Sequence, residues 1–139
     1  MKKLFIDTNI VLDLLAKRTP FYDSAAEIFS LSDKKALILS VSSLTFANTH
    51  YVLARLKSSN EAKEILRKFK ILAGVLSLND KVMELALNDG NFKDFEDGLQ
   101  YHAAVENDQD VIITRDLQGF KKSKIPVMTA DEYLISIGM

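Results

Sequence analysis

The 139-residue sequence has no cysteine and no tryptophan. Without thiols there can be no disulfide, thiolate zinc site or cysteine nucleophile, and nothing directs the chain to an oxidising compartment; the cytoplasm is the expected location. Glycine occurs five times and proline twice, at Pro20 and Pro126, so no linker, low-complexity tract or repeat is expected. The motifs GxxxxGK[ST], GxGxxG and GxSxG are missing, which excludes a P-loop, a dinucleotide fingerprint and a nucleophile elbow. No apolar run approaches the roughly 18 residues of a membrane span. The opening "MKKLFIDTN" is interrupted by Asp7, Asn9 and then Asp13, unlike the apolar core of a signal peptide. An excess of one charge is also missing. With 18 basic and 19 acidic residues the net charge is −1, which does not announce a nucleic-acid binder, although an acidic cluster can mask basic patches in the sum.

What is present suits one globular domain over residues 1–139, with 47% hydrophobic residues to build its core. Five short apolar runs read as strands: "LFID" (4–7), "ALILSVS" (36–42), "VLSL" (75–78), "DVIIT" (110–114) and "IPVMT" (125–129). They lack clean polar alternation, which suits a parallel sheet covered on both faces. Between them lie helical segments: "NIVLDLLAKR", "YDSAAEIFSLS", "SSLTFANTHYVLARLK" and "NEAKEILRKFKILAG", then "DKVMELALNDG" with Asp80 as N-cap, "DFEDGLQYHAAVEND" with Asp94 as N-cap, and "ADEYLISIG". Residues 57–60 ("KSSN") and 88–94 ("NDGNFKD") read as loops. Strands alternating with helices give an α/β sandwich around a parallel sheet.

The acids fall at telling places on this frame. Asp7 ends the first strand, Asp94 and Asp97 lie three residues apart at a helix start, and Asp116 follows the fourth strand in "IITRD". In an open parallel sheet the ligand crevice lies beyond the carboxyl ends of the strands, where Asp7 and Asp116 emerge if strands one and four are neighbours. Converging carboxylates repel one another unless some protonate or a cation enters, and a hard ion such as Mg²⁺ or Mn²⁺ resolves the conflict. Such an ion makes phosphodiester hydrolysis the natural reaction class. Structural roles compete residue by residue: Asp94 as a cap, Asp97 as an acid favoured by the helix dipole, Asp116 as a turn residue, Asp7 as the cap of the helix that follows it. His50 and His102 read as structural rather than as ligands.

"FIDTNIVLDLL", "FEDGLQYHAA" and "VIITRD", in this order over nearly the whole chain, resemble the PIN (PilT N-terminus) domain of VapC-type toxins, with "DFED" and "IPVMTADEYL" as further points of likeness. The resemblance implies a three-layer α/β/α sandwich with five parallel strands in the order 3-2-1-4-5, and a Mg²⁺- or Mn²⁺-dependent ribonuclease. It puts the metal-binding acids at Asp7, Asp97 and Asp116, with Asp94 an additional acid of the "DFED" variant, in a supporting or alternative ligand role. Thr8, Asn9 and Thr114 fall at small polar positions around them. The family usually places a Glu in a stretch like "SxLTxxE", where "SSLTFANTHY" has Asn48. An amide offers an oxygen without charge, so this site has one carboxylate fewer and a weaker hold on metal, above all on a second ion.

For an RNA substrate, phosphate contacts are expected from Lys17, Arg18, Arg115, Lys121, Lys122 and Lys124, whose alternative is a solvated surface. The resemblance further implies a homodimer and a cognate antitoxin protein. The surface expected for the antitoxin is "LTFANTHYVLARLK" with "EAKEILRKFKILAG". Two rival classes remain. A haloacid-dehalogenase-like phosphatase needs a second Asp where Asn9 stands, and a receiver domain needs an acidic pair and a third-strand Asp that "FIDTN" and "VLSLND" do not supply. The other is a catalytically weak or inactive PIN-like module that binds RNA or protein.

Overall fold

The first strand, β1 (Lys3–Ile6), is the pivot of the computed structural model, which describes residues 1–139. Its side chains alternate across the sheet, and both sides are covered: Leu4 and Ile6 enter one apolar cluster and Phe5 the other, all three fully buried. Each such side chain contributes about 1.5–3 kcal/mol of burial free energy. β1 pairs in parallel with β2 (Ile38–Ser42) on one side and with β4 (Val111–Ile113) on the other. β3 (Gly74–Leu76) and β5 (Val127–Met128) form the edges, giving the order β3-β2-β1-β4-β5 that the family resemblance implies. All five expected strands form; β1 starts one residue early and keeps the length of its apolar run, and the other four are shorter than theirs. The flanking residues Asp7 and Thr129 cap the helices that follow β1 and β5.

Seven helices connect the strands: α1 (Thr8–Leu15), α2 (Tyr22–Asp33), α3 (Ser43–Leu56), α4 (Ser59–Phe69), α5 (Asp80–Leu87), α6 (Phe95–Glu106) and α7 (Ala130–Ser136). One layer draws Ile10 and Val11 of α1, Ile28 and Phe29 of α2, Phe69 of α4 and Tyr133 of α7 onto Leu4, Ile6, Leu39 and Ile113. The opposite layer packs Val82 and Ala86 of α5, and Leu99 and Ala103 of α6, against Phe5 and Ile112. The result is the expected three-layer sandwich.

Two boundaries differ from the sequence reading, and capping chemistry explains both. Asn79, not Asp80, caps α5: its side-chain oxygen accepts from Val82 N at 3.0 Å, which leaves Asp80 inside the first turn where the helix dipole favours an acid. Within "KSSN", Ser58 accepts from Glu61 N at 3.1 Å and starts α4 at Ser59, so only Lys57 and Ser58 separate α3 from α4. The longer loop at 88–94 forms as expected between α5 and α6.

Candidate active site

Asp7 is both a helix cap and a buried carboxylate. β1 ends at Ile6, and the chain enters α1 through Asp7 in extended geometry (φ −72°, ψ 155°), whose Oδ1 accepts from Thr8 N at 2.8 Å. Its own N–H still donates to Ile113 O at 3.0 Å, so the residue sits at the carboxyl edge of the two central strands. The other oxygen, Oδ2, accepts from Thr114 Oγ1 at 2.8 Å and from Asn9 Nδ2 at 3.3 Å. Burial pushes its pKa above the ordinary carboxylate range against these hydrogen bonds, and the charge of Asp116 adds to the rise.

The second acid group arrives on α6. Asp94 caps the helix, its Oδ1 accepting from Glu96 N at 2.8 Å and Asp97 N at 3.3 Å. Asp97 in the first turn is half-buried and faces the cleft. Desolvation first, then the charges of Asp94, Asp7, Asp116 and Glu96, raise its pKa to about 7. Asp116 lies in the loop after β4, where its N–H donates to Thr114 Oγ1 at 3.0 Å and its Oδ1 accepts from Gly119 N at 3.0 Å. Thr114 thus ties Asp116 to Asp7 through one hydroxyl.

Gly119 shows how closely Asp97 and Asp116 approach. A Cβ built on it would lie 2.4 Å from Asp116 Oδ2 and 2.7 Å from Asp97 Oδ2, so two oxygens from different segments flank a point that only a glycine leaves free. The neighbouring Phe120 is buried in the α5–α6 core and fixes this loop. Oxygen donors, mutual repulsion and this shared cradle suit a hard cation. No three His, Asp or Glu side chains stand at common ligating separation, and both oxygens of Asp7 accept hydrogen bonds from neighbouring segments. Asn48 lies half-buried on α3.

The basic candidates separate into two groups. Asp13 of α1 is fully buried and takes both arginines: Arg115 Nε and Nη2 donate to its two oxygens at 2.8 and 3.0 Å, and Arg18 Nε donates at 3.1 Å. Arg115 also stacks over the Phe21 ring, 3.9 Å from its centroid. These two cations therefore hold α1, α2 and the Thr114–Asp116 segment together. Lys121 instead lines the 400 Å³ acidic cleft with Asp94, Asp97 and Asp116, as does Lys93, which the sequence reading did not single out. Lys122 and Lys124 are exposed on the same loop, and Lys17 borders an apolar groove elsewhere. His102 hydrogen-bonds Asp89 at 2.8 Å and His50 pairs with Ser59 at 3.3 Å, as structural histidines do.

Sequence reasoning also missed Gln100, which is buried one turn beyond Asp97 on α6. Its Nε2 donates to Thr45 Oγ1 at 3.1 Å and stands 3.5 Å from both Asp7 Oδ1 and Thr8 Oγ1, while its Oε1 accepts from Ser42 Oγ. A glutamine inside an otherwise apolar helix face was the available signal.

The sequence matches the PIN domain family over residues 3–118. The chain belongs to the PIN domain family. Ribonuclease VapC1 of Aquifex aeolicus is 27% identical over 135 residues, covering 95% of this chain and 93% of that protein. Among solved structures, the PIN fold seen here resembles DNA-bound VapBC from Salmonella typhimurium, with TM-score 0.72, 18% identity, and 94% of this chain and 99% of that one covered. VapBC-1 from nontypeable Haemophilus influenzae gives TM-score 0.70 at 15% identity, over 93% and 98% of the two chains. In this PIN domain no helix is long and apolar enough to cross a membrane.

Proposed function

We propose that this protein is a divalent-metal-dependent ribonuclease that hydrolyses RNA phosphodiester bonds, and that it is the toxin of a type II toxin–antitoxin pair. The observation that carries the reading is the approach of Asp97 and Asp116 over Gly119, beside buried Asp7, in a PIN domain chain. Its likeness to Ribonuclease VapC1 supports the same activity. Asp97 and Asp116 would hold Mg²⁺ or Mn²⁺, with Asp7 completing the set and Asp94 supporting it. When bound, the ion supplies Lewis acidity that activates water and takes up charge developing on the phosphoryl group. Thr114 holds Asp7 and the Asp116 backbone in register, with Thr8 and Asn9 supporting the first acid, and Gly119 keeps the approach open. Lys121 and Lys93 meet phosphate oxygens at the mouth of the cleft, with Lys122 on the same loop; Arg18 and Arg115 order the site through Asp13.

An antitoxin partner is supported by the VapBC assemblies that share the fold. The expected α3–α4 surface contributes Leu53, Leu56 and Ile65 to an apolar groove of about 660 Å³, closed by Leu14 and Leu15 of α1 and edged by Lys17 and Lys57. An amphipathic antitoxin segment with acidic flanks suits these walls. The homodimer belongs to the same proposal, and light scattering of the purified chain tests it.

The deciding experiment measures cleavage of single-stranded and structured RNA with Mn²⁺ and with EDTA. Asp7→Asn and Asp97→Asn should each abolish metal-dependent cleavage; unchanged cleavage in both overturns the site. A second reading, a PIN module that binds RNA or protein without cutting, draws on Asn48 in place of an acid and on the unassembled three-acid set. Titration of the wild type with Mn²⁺ separates the two, because the non-catalytic module neither binds the ion at these acids nor cleaves RNA.

A further inference from the structure

Gln100 lies where the two halves of the acidic site meet. It follows Asp97 by three residues, so both sit on one face of α6, and the helix that delivers Asp97 to the cleft also delivers this amide beneath Asp7. The amide's orientation is set by chemistry. Asp7 Oδ1 already accepts from Thr8 N, so the nitrogen faces Asp7 and the oxygen faces Ser42, whose hydroxyl donates to it while accepting the α3 capping bond from Thr45 N at 3.4 Å. One N–H then goes to Thr45 Oγ1 at 3.1 Å, and the other is shared between Asp7 Oδ1 and Thr8 Oγ1 at 3.5 Å each. Thr8 and Thr45 close the ring with a 2.9 Å contact. Ser42, Thr45 and Gln100 are all buried, so their polar atoms have little recourse to water if the arrangement breaks.

We propose that Gln100 is the positioning residue of the site: through Ser42 and Thr45 it is braced against α3, and from there it fixes the side chain of Asp7 and its separation from Asp97. The inference rests on the nuclease reading for its consequence and on geometry for its substance. Thr114 and Asn9 hold one oxygen of Asp7, while Gln100 and the Thr8 N–H address the other, so the carboxylate is gripped from both sides. Loss of the amide frees one side. Groups that orient metal ligands without touching the metal typically alter affinity or activity by about 10–100-fold.

The test uses the full chain with Gln100→Leu and with Gln100→Met, the latter keeping the length of the side chain. In EDTA, a cycle of wild type, Gln100→Met, Asp7→Ala and the double variant is read by urea unfolding. The expected result is an unfolding constant for the double variant that departs from the product of the single effects by about fivefold or more. Calorimetric titration with Mn²⁺ alone should show affinity reduced about 10–100-fold in both Gln100 variants, and RNA cleavage should fall in kcat with little change in KM. Additive stability effects together with wild-type Mn²⁺ affinity would overturn the proposal. If wild type neither binds Mn²⁺ nor cleaves RNA, the nuclease reading fails, while the metal-free cycle still decides whether Gln100 holds Asp7.

Discussion

Replacing Asp97 by Asn should strengthen the metal-free fold while destroying the proposed activity. Burial and the charges of Asp94, Asp7, Asp116 and Glu96 raise Asp97 from its ordinary 3.8 to about 7. Above pH 7 the folded protein must carry this carboxylate ionised among like charges, whereas the unfolded chain carries it in water. That rise, to about 7, corresponds to about 4 kcal/mol unscreened, and the half-exposed side chain reduces it to ~1–2 kcal/mol. The sign follows from proton counting. Between pH 3.8 and 7 the folded state binds a proton that the unfolded state does not, so this group's contribution rises as pH falls through 7 and is complete below 3.8. The assay is urea unfolding in EDTA at pH 5.5 and pH 8, buffer values chosen as roughly either side of the transition. Asp97→Asn should exceed wild type by ~1–2 kcal/mol at pH 8, with the advantage shrinking at pH 5.5. Adding Mn²⁺ at about 100 times its Kd should then favour wild type by ~2.7 kcal/mol and leave the variant unmoved. A variant no more stable than wild type at pH 8, with parallel pH profiles, refutes the reasoning that these acids oppose one another in the absence of a cation.

Gly119→Ala should separate fold from function: the new Cβ meets the ends of two movable side chains, so stability should change by less than ~1 kcal/mol, while Mn²⁺ affinity drops at least about tenfold because both carboxylates are pushed aside. Differential scanning calorimetry and metal titration on one sample check both halves. Asp13→Asn should cost about 2–3 kcal/mol in urea, since one buried carboxylate accepts charge-assisted bonds from Arg18 and Arg115; a loss below ~0.5 kcal/mol would contradict that role. Lys121→Ala should weaken RNA binding across sequences and lower the salt slope by about 0.7, the single-strand contribution of one phosphate contact, as measured by fluorescence anisotropy at several salt concentrations.

The fold was legible because its signals are local and redundant. Apolar runs such as "LFID" and "VIIT" announce strands, and Asp94 announces the helix it caps. Boundaries were less legible where two capping residues adjoin. Nothing in "NDKV" says whether Asn79 or Asp80 will cap until the chain's direction into α5 is known. The acids were legible as a set of positions at strand ends and a helix start, but their separations were not. Only the return of Gly119 against Asp97 and Asp116 shows which two approach, and that return depends on Phe120 joining the α5–α6 core well beyond the end of α6 in sequence.

The pairing of Arg115 with Asp13 illustrates what no local reading supplies. Arg115 stands beside Asp116 in sequence and reads as a phosphate contact, yet its partner is Asp13, 102 residues away and hidden inside an apolar stretch. Asp13 looked like a polar break in "NIVLDLL"; it is the anchor that draws the segment after β4 onto α1. The same kind of long-range pairing puts Gln100 under Asp7. In both cases a buried polar group that looks misplaced in its own helix is satisfied by a distant segment, and the bond fixes an element of the acidic cleft. Desolvation makes such bonds expensive to leave unmade, so they constrain geometry more tightly than exposed pairs can. The burden on Asp7 follows from this. It caps α1 and donates its N–H to Ile113 of β4, and Thr114, Asn9 and Gln100 meet its carboxylate from the segments that frame the acidic cleft.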